Sequence, residues 1–191
     1  MASDEKKPES PLRQLCQRAK MEAEATKLLT DDSTTKEFID LLVKKEQYRD
    51  AIRLVAHMLP KREAVGWGCL CLRHMQSLQG DKPLPPVHTA AERWVSAPNE
   101  DNRWAAKQAA DKDDPKTPSG LLAMAAFFAG PTMTPPNLQA VPPPEDATAS
   151  LVGNVIILAG VLKQPEKAKE KYSVFMQKAS ALITRMQQPQ P

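Results

Sequence analysis

LPKREAVGWGCLCLRH, residues 59–74, joins two amphipathic patterns through a single proline. Pro60 cannot lie inside a helix, because its ring crowds the preceding turn and it has no N–H to donate, so one helix ends there and another begins. Upstream, Tyr48, Ile52, Val55 and Leu59 fall on one apolar stripe; downstream, Ala64, Trp67, Cys71, His74 or Met75, and Leu78 fall on a second. The second helix ends at Gly80, a residue free to take the left-handed conformation that closes helices. Stripes on both arms of a proline corner describe a helical hairpin.

The pattern recurs on either side. Val87, Ala91, Trp94 and Val95 line a helix broken at Pro98, after which Asn99 can cap a helix carrying Trp104. Residues 148–163 form an apolar helix that breaks at Pro165, and a long helix follows to about residue 188. In it Ala168, Tyr172, Phe175, Ala179, Leu182 and Met186 alternate steps of four and three, a heptad seam that packs against another helix of the same chain or of a partner. Nearer the N-terminus, Ser10–Pro11 opens a helix with Leu12, Leu15, Cys16, Ala19 and Ala23 on one face, and Thr34 with Glu37 reads as a capping box. Thr117–Pro118 opens the apolar helix that ends at Gly130. No alternating run supports a strand. The expectation is an all-α, irregular stack of helical hairpins, about eight or nine helices, forming one domain over 10–188 between disordered ends at 1–9 and 189–191. Residues 130–147 are its connecting segment. The six prolines between 131 and 144 favour extended polyproline conformation, a semi-rigid surface strap.

Composition narrows the function classes. Apolar residues are 41% of the 191 and aromatics only 5%, so the core is built on Ala, Leu, Val, Ile and Met, which favour helix. A formal charge of +3 is too mild for strong nucleic-acid binding without a concentrated patch. The start, MASDEKKPES, lacks the apolar stretch of a secretory signal, and the longest apolar run, 151–162, is well short of the roughly 20 residues that span a bilayer. A cytoplasmic location is expected. Cys16, Cys69 and Cys71 are an odd number, and the last two point about 200° apart on a helix, which argues against a disulfide framework and against a zinc knuckle.

No nucleophile with a base at motif spacing, phosphate-cradling loop or complete metal-ligand set is apparent, so neither an enzyme, a metal nor a cofactor is expected. Lys61, Arg62 and Glu63, with Glu92, Arg93 and Arg103, read as ion pairs that lock hairpin corners, or otherwise as an anion site. Gly66 and Gly68 flank Trp67 and imply a close helix crossing or room for an inserted side chain. Trp67, Trp94 and Trp104 suit either helix packing or the anchors of a peptide-binding groove. Lys163, Lys167, Lys171, Lys178 and Arg185 lie largely along one side of the last helix, as a solvated face or one that docks on an acidic surface. The candidate partner-binding residues are therefore Trp67, Trp94, Trp104, Lys167, Lys171, Lys178 and Arg185. The expected partner is another protein, or a second copy of the chain through the heptad seam.

Three stretches, DAIRLVAHMLPKREAVGWGCLC at 50–71, AAERWVSAPNEDNRWAA at 90–106 and VPPPEDATA at 141–149, together resemble a bacterial family of domains of unknown function. The resemblance runs from about residue 12 to 180. Members of that family occur in gene neighbourhoods related to type VI secretion, which implies an adaptor or chaperone-like accessory role. No catalytic residue is established for it. Where the family pattern has a second aromatic beside the tryptophan motif, this chain has Gly66.

Overall fold

The computed structural model describes residues 10–80, 83–114 and 116–187, and the expected ends at 1–9 and 189–191 lie outside them. Within the described residues the chain is all-α, with no strand. The helices are α1 (Pro11–Arg18), α2 (Ala23–Thr26), α3 (Thr35–Lys44), α4 (Tyr48–Met58), α5 (Lys61–Ser77), α6 (Pro86–Ser96), α7 (Glu100–Lys112), α8 (Pro118–Phe128), α9 (Ala147–Val161) and α10 (Ala168–Gln187), with a 3-10 turn at Pro165–Lys167.

Local chemistry sets the boundaries. Ser10, Asn99 and Thr117 each accept the backbone N–H three residues on, and Thr34 and Glu37 close a reciprocal capping box, so donors that the helices leave free are satisfied. Gly80 closes the α5 end with φ 85°. The first helix stops sooner than its stripe suggests. Lys20 takes φ 49°, so Ala23 opens a separate short helix instead of continuing α1.

α9 is the centre. It has no charged residue, packs on α4, α5, α8 and α10, and buries Val152, Val155 and Ile156 completely. Burial of each such side chain stabilises the fold by about 1.5–3 kcal/mol relative to exposure. Two close approaches use glycine. A Cβ at Gly68 would come within 2.6 Å of Leu122 Cδ1, so α8 inserts a leucine into α5 as the flanking glycines imply, and a Cβ at Gly160 would fall on the Tyr172 ring. One continuous apolar core runs from Leu12 to Leu182.

Two fastenings organise the surface. Arg103 is buried in α7, donates to Phe127 O and Thr132 O, each at 2.9 Å, and is held by Glu100. Its guanidinium lies 5.2 Å from the Trp104 ring and 5.0 Å from that of Phe127, which ties α7 to the end of α8. The proline-rich segment does not bridge separate helical bodies, because α8 and α9 pack directly on each other. It is instead a loop closed on itself: Met133 N–H donates to Val141 O at 2.7 Å, and Thr132 Oγ1 accepts from the N–H groups of Thr134 and Val141.

The second fastening is Lys171. The chain turns by 119° between α9 and the last helical segment, with Gln164 at φ 50°. Lys171 is buried at this corner and donates to the carbonyls of Gly160, Lys163 and Gln164. A cation at a helix C-terminus meets the negative end of the macrodipole as well as free carbonyls. The lysine expected on a docking face is therefore an internal cap. The heptad seam is also internal: Tyr172, Phe175, Ala179 and Leu182 are buried, and α10 packs on α4, α5 and α9.

Candidate functional site: two recesses flanking the last helix

α10 lies across α4 and α5, and each of its flanks overhangs a recess. The first is a groove of about 410 Å³ walled by α3 and α10 over α4. Ile39 and Val43 line it from α3, Val55 and Met58 from α4, and Met176 and Ile183 from α10. The α10 rim is uncharged: Ser173, Gln177, Ser180, Thr184 and Gln187. On the opposite rim Lys36 and Asp40 neutralise each other at 2.7 Å. What this recess offers a ligand is shape and apolar contact.

The second recess, about 750 Å³, lies between α5, α6 and the end of α10. Arg62, Arg73 and Arg185 reach it, with Leu70 and Met186 more than two-fifths exposed beside them. Arg62 donates to Val95 O at 2.7 Å, which pins α5 to the end of α6. Arg73 holds Glu92 through both of its carboxylate oxygens. These contacts lock the hairpin, and the expected mutual ion pairs do not: Lys61, Glu63 and Arg93 form none among the described residues. Arg185 has no hydrogen bond or ion pair among the described residues and is open to a ligand.

A cluster the sequence did not announce sits in the floor. One donor atom each from Cys69, His88 and Glu92 lies within 4.8 Å of the others. Cys69 comes from α5; His88 and Glu92 are one turn apart on α6. His88 is wholly buried, and neither ring nitrogen has a hydrogen-bond partner. Its Nε2 is 3.1 Å from Glu92 Oε1, near enough for attraction but off the line that a hydrogen bond needs. Leaving a buried polar atom unpaired costs about 1–3 kcal/mol. Burial lowers the His88 pKa against the opposing pull of Glu92, so the ring is neutral. Burial, with Glu92 adding, pushes the Cys69 thiol up to about 12. Burial works against the Glu92 carboxylate, but the Arg73 guanidinium bonded to both its oxygens outweighs it and holds the carboxyl below its usual range. The signal available in the sequence was the i, i+4 pair of His88 and Glu92; what it lacked was the neighbour on α5.

The tryptophans belong to the scaffold. Trp67 is fully buried and donates Nε1–H to Phe175 O at 2.9 Å. Trp94 is buried, and Trp104 is half-buried with its ring edge-on to Phe127 at 5.1 Å. None lines either recess, so they do not anchor a groove in this fold. The basic residues divide similarly. Lys167 is exposed on the 3-10 turn, Lys171 is internal, Lys178 is half-buried near His74 and Cys71, and only Arg185 reaches a recess.

The chain belongs to the family of unknown function DUF6931, whose model matches residues 38–183; that span holds most of the lining of both recesses but not Lys36, Arg185 or Met186. No curated protein and no solved structure matches it.

Proposed function

We propose that this member of DUF6931 is a non-enzymatic protein-interaction module that receives an amphipathic helix of its partner in the groove between α3 and α10. The observation that carries this reading is an apolar floor at Met58, over the wholly buried Val55, between two helical walls that supply Ile39, Val43, Met176 and Ile183. Helix-in-groove recognition requires such a floor, with spacing that accepts side chains at i, i+3, i+4 and i+7. α3 has ten residues, about 15 Å of wall, so the partner segment is on the order of three turns. The uncharged rim leaves discrimination to shape. The basic residues of α10 play no steering part at this groove.

The same proposal places the module as an adaptor or chaperone-like accessory of a bacterial, type VI-like secretion system. That part is supported by the sequence resemblance alone. Self-assembly through α10 would have to use its outer side or the exposed seam end at Met186, since Tyr172, Phe175, Ala179 and Leu182 are buried within the chain.

The test is a photo-crosslinking residue placed in cells at Val43 or at Ile183, with Leu78, which is 59% exposed and outside the groove, as control. Both groove positions should give an adduct with the same protein, mapping to an amphipathic helix of a secretion component or effector. Equal adducts from the control position, or adducts mapping to non-helical segments, would refute the groove reading. A helical partner unrelated to secretion would remove the secretion assignment and keep the groove.

A further inference from the structure

We propose that Cys69, His88 and Glu92 form a zinc site with three protein ligands, whose fourth position opens into the arginine-lined recess. The proposal concerns the flank of α10 opposite the groove and is independent of the helix-binding reading.

Geometry comes first. Zinc binds thiolate sulfur at about 2.3 Å and imidazole nitrogen or carboxylate oxygen at about 2.0–2.2 Å, so donors on adjacent corners of a tetrahedron stand roughly 3.3–3.8 Å apart. The three donors already lie within 4.8 Å of one another, and side-chain rotation closes the remainder. They come from two helices, α5 and α6, that Arg62 ties together through Val95 O at 2.7 Å.

His88 separates a ligand set from an ordinary core cluster. A histidine kept for packing usually has one ring nitrogen bonded; this one is wholly buried, with Nδ1 unpartnered and Nε2 held only by its misaligned 3.1 Å contact with Glu92, beside a thiol. A metal ion gives one nitrogen the partner it lacks.

Charge agrees. A thiolate and a carboxylate balance the two charges of Zn²⁺, and the Arg73 guanidinium bonded to Glu92 adds one positive charge, which an anionic fourth ligand would offset. A thiol gives up its proton to ligate the ion, so binding releases a proton. Arg73 holds both Glu92 oxygens, yet each carboxylate oxygen has a second lone pair, so Oε1 can face the ion while Arg73 orients the ligand from behind. Mixed sulfur, nitrogen and oxygen donors suit zinc and exclude magnesium or calcium, which take oxygen. Cys69 and Glu92 both line the recess, so the open corner faces solvent and Arg185, where water or an anionic group completes the coordination.

The experiment uses the full chain, freed of metal with a chelator and titrated with Zn²⁺ alone and with Co²⁺ as an optical reporter. The expected result is one metal per chain and a sulfur-to-cobalt charge-transfer band that Cys69→Ala abolishes and Cys71→Ala retains. Glu92→Gln should weaken zinc binding at least about tenfold. Zinc should also slow alkylation of Cys69, a readout that requires no variant and so does not depend on a substituted core folding. A folded wild-type chain, judged by circular dichroism, that gives no cobalt–thiolate band would overturn the proposal. So would a band, or a zinc affinity, that survives Cys69→Ala.

Discussion

On one side of α10 the wall is Met176 and Ile183 under a rim of hydroxyl and amide groups; on the other it is Leu182, Arg185 and Met186, facing two more arginines, a thiol and the carboxylates of Glu63 and Glu92. The same twenty-residue helix thus borders one apolar recess and one charged recess. Seven-residue spacing explains how. The seam of Tyr172, Phe175, Ala179 and Leu182 points into the fold, and the residues beside it on either side become the two rims. A single amphipathic helix laid over two others can therefore supply two chemically distinct surfaces without any change of backbone.

The sharpest way to break that arrangement is to remove what both sides rest on. Phe175→Ala, at a wholly buried site whose carbonyl also accepts from Trp67, should cost about 3–5 kcal/mol in urea unfolding and damage both recesses together. Lys171→Met keeps the aliphatic stem but leaves three carbonyls at the α9 end without their donor. A loss of about 2–3 kcal/mol is expected, read by the same denaturation experiment, because a buried acceptor loses its partner. Gly160→Ala gains about 1 kcal/mol of helix propensity yet pushes a Cβ into the Tyr172 ring, and overpacking of about 1–3 kcal/mol should win, giving a lower melting temperature.

The remaining pair distinguishes the sides. Ile183→Ala, half-buried in the groove, should cost about 1 kcal/mol and weaken helix capture in the crosslinking assay. Arg185→Ala, exposed and without a partner among the described residues, should change stability by less than about 0.5 kcal/mol and leave helix capture intact. Equal effects of the two on capture would mean that the recesses are not separate.

What the sequence could disclose was local. Ser10, Thr34 with Glu37, Asn99 and Thr117 announce helix starts because a cap is a contact between residues three apart, and Pro60 and Gly80 punctuate for reasons internal to one residue. Lys20 gives no such signal, since its positive φ is imposed by the turn into α2 and not by a missing Cβ. Trp67 looks equally fit for a core or an interface because an indole with one donor suits both; the carbonyl of Phe175, 108 residues away, decides. Lys171 shares a stripe with Lys178 and Arg185, and only the turn at Gln164 brings the α9 end down upon it. Cys69 and His88 are 19 residues apart on different helices, so their meeting is a property of how α5 and α6 pack.

The buried ammonium at the α9–α10 corner has a mechanical consequence. A wall shared by two rooms moves only by exchanging their widths, and Lys171 is the pivot that fixes where this wall stands. Because Met176 and Ile183 face the apolar groove while Arg185 and Met186 face the arginine-lined recess, the width of each depends on the one angle that this corner sets.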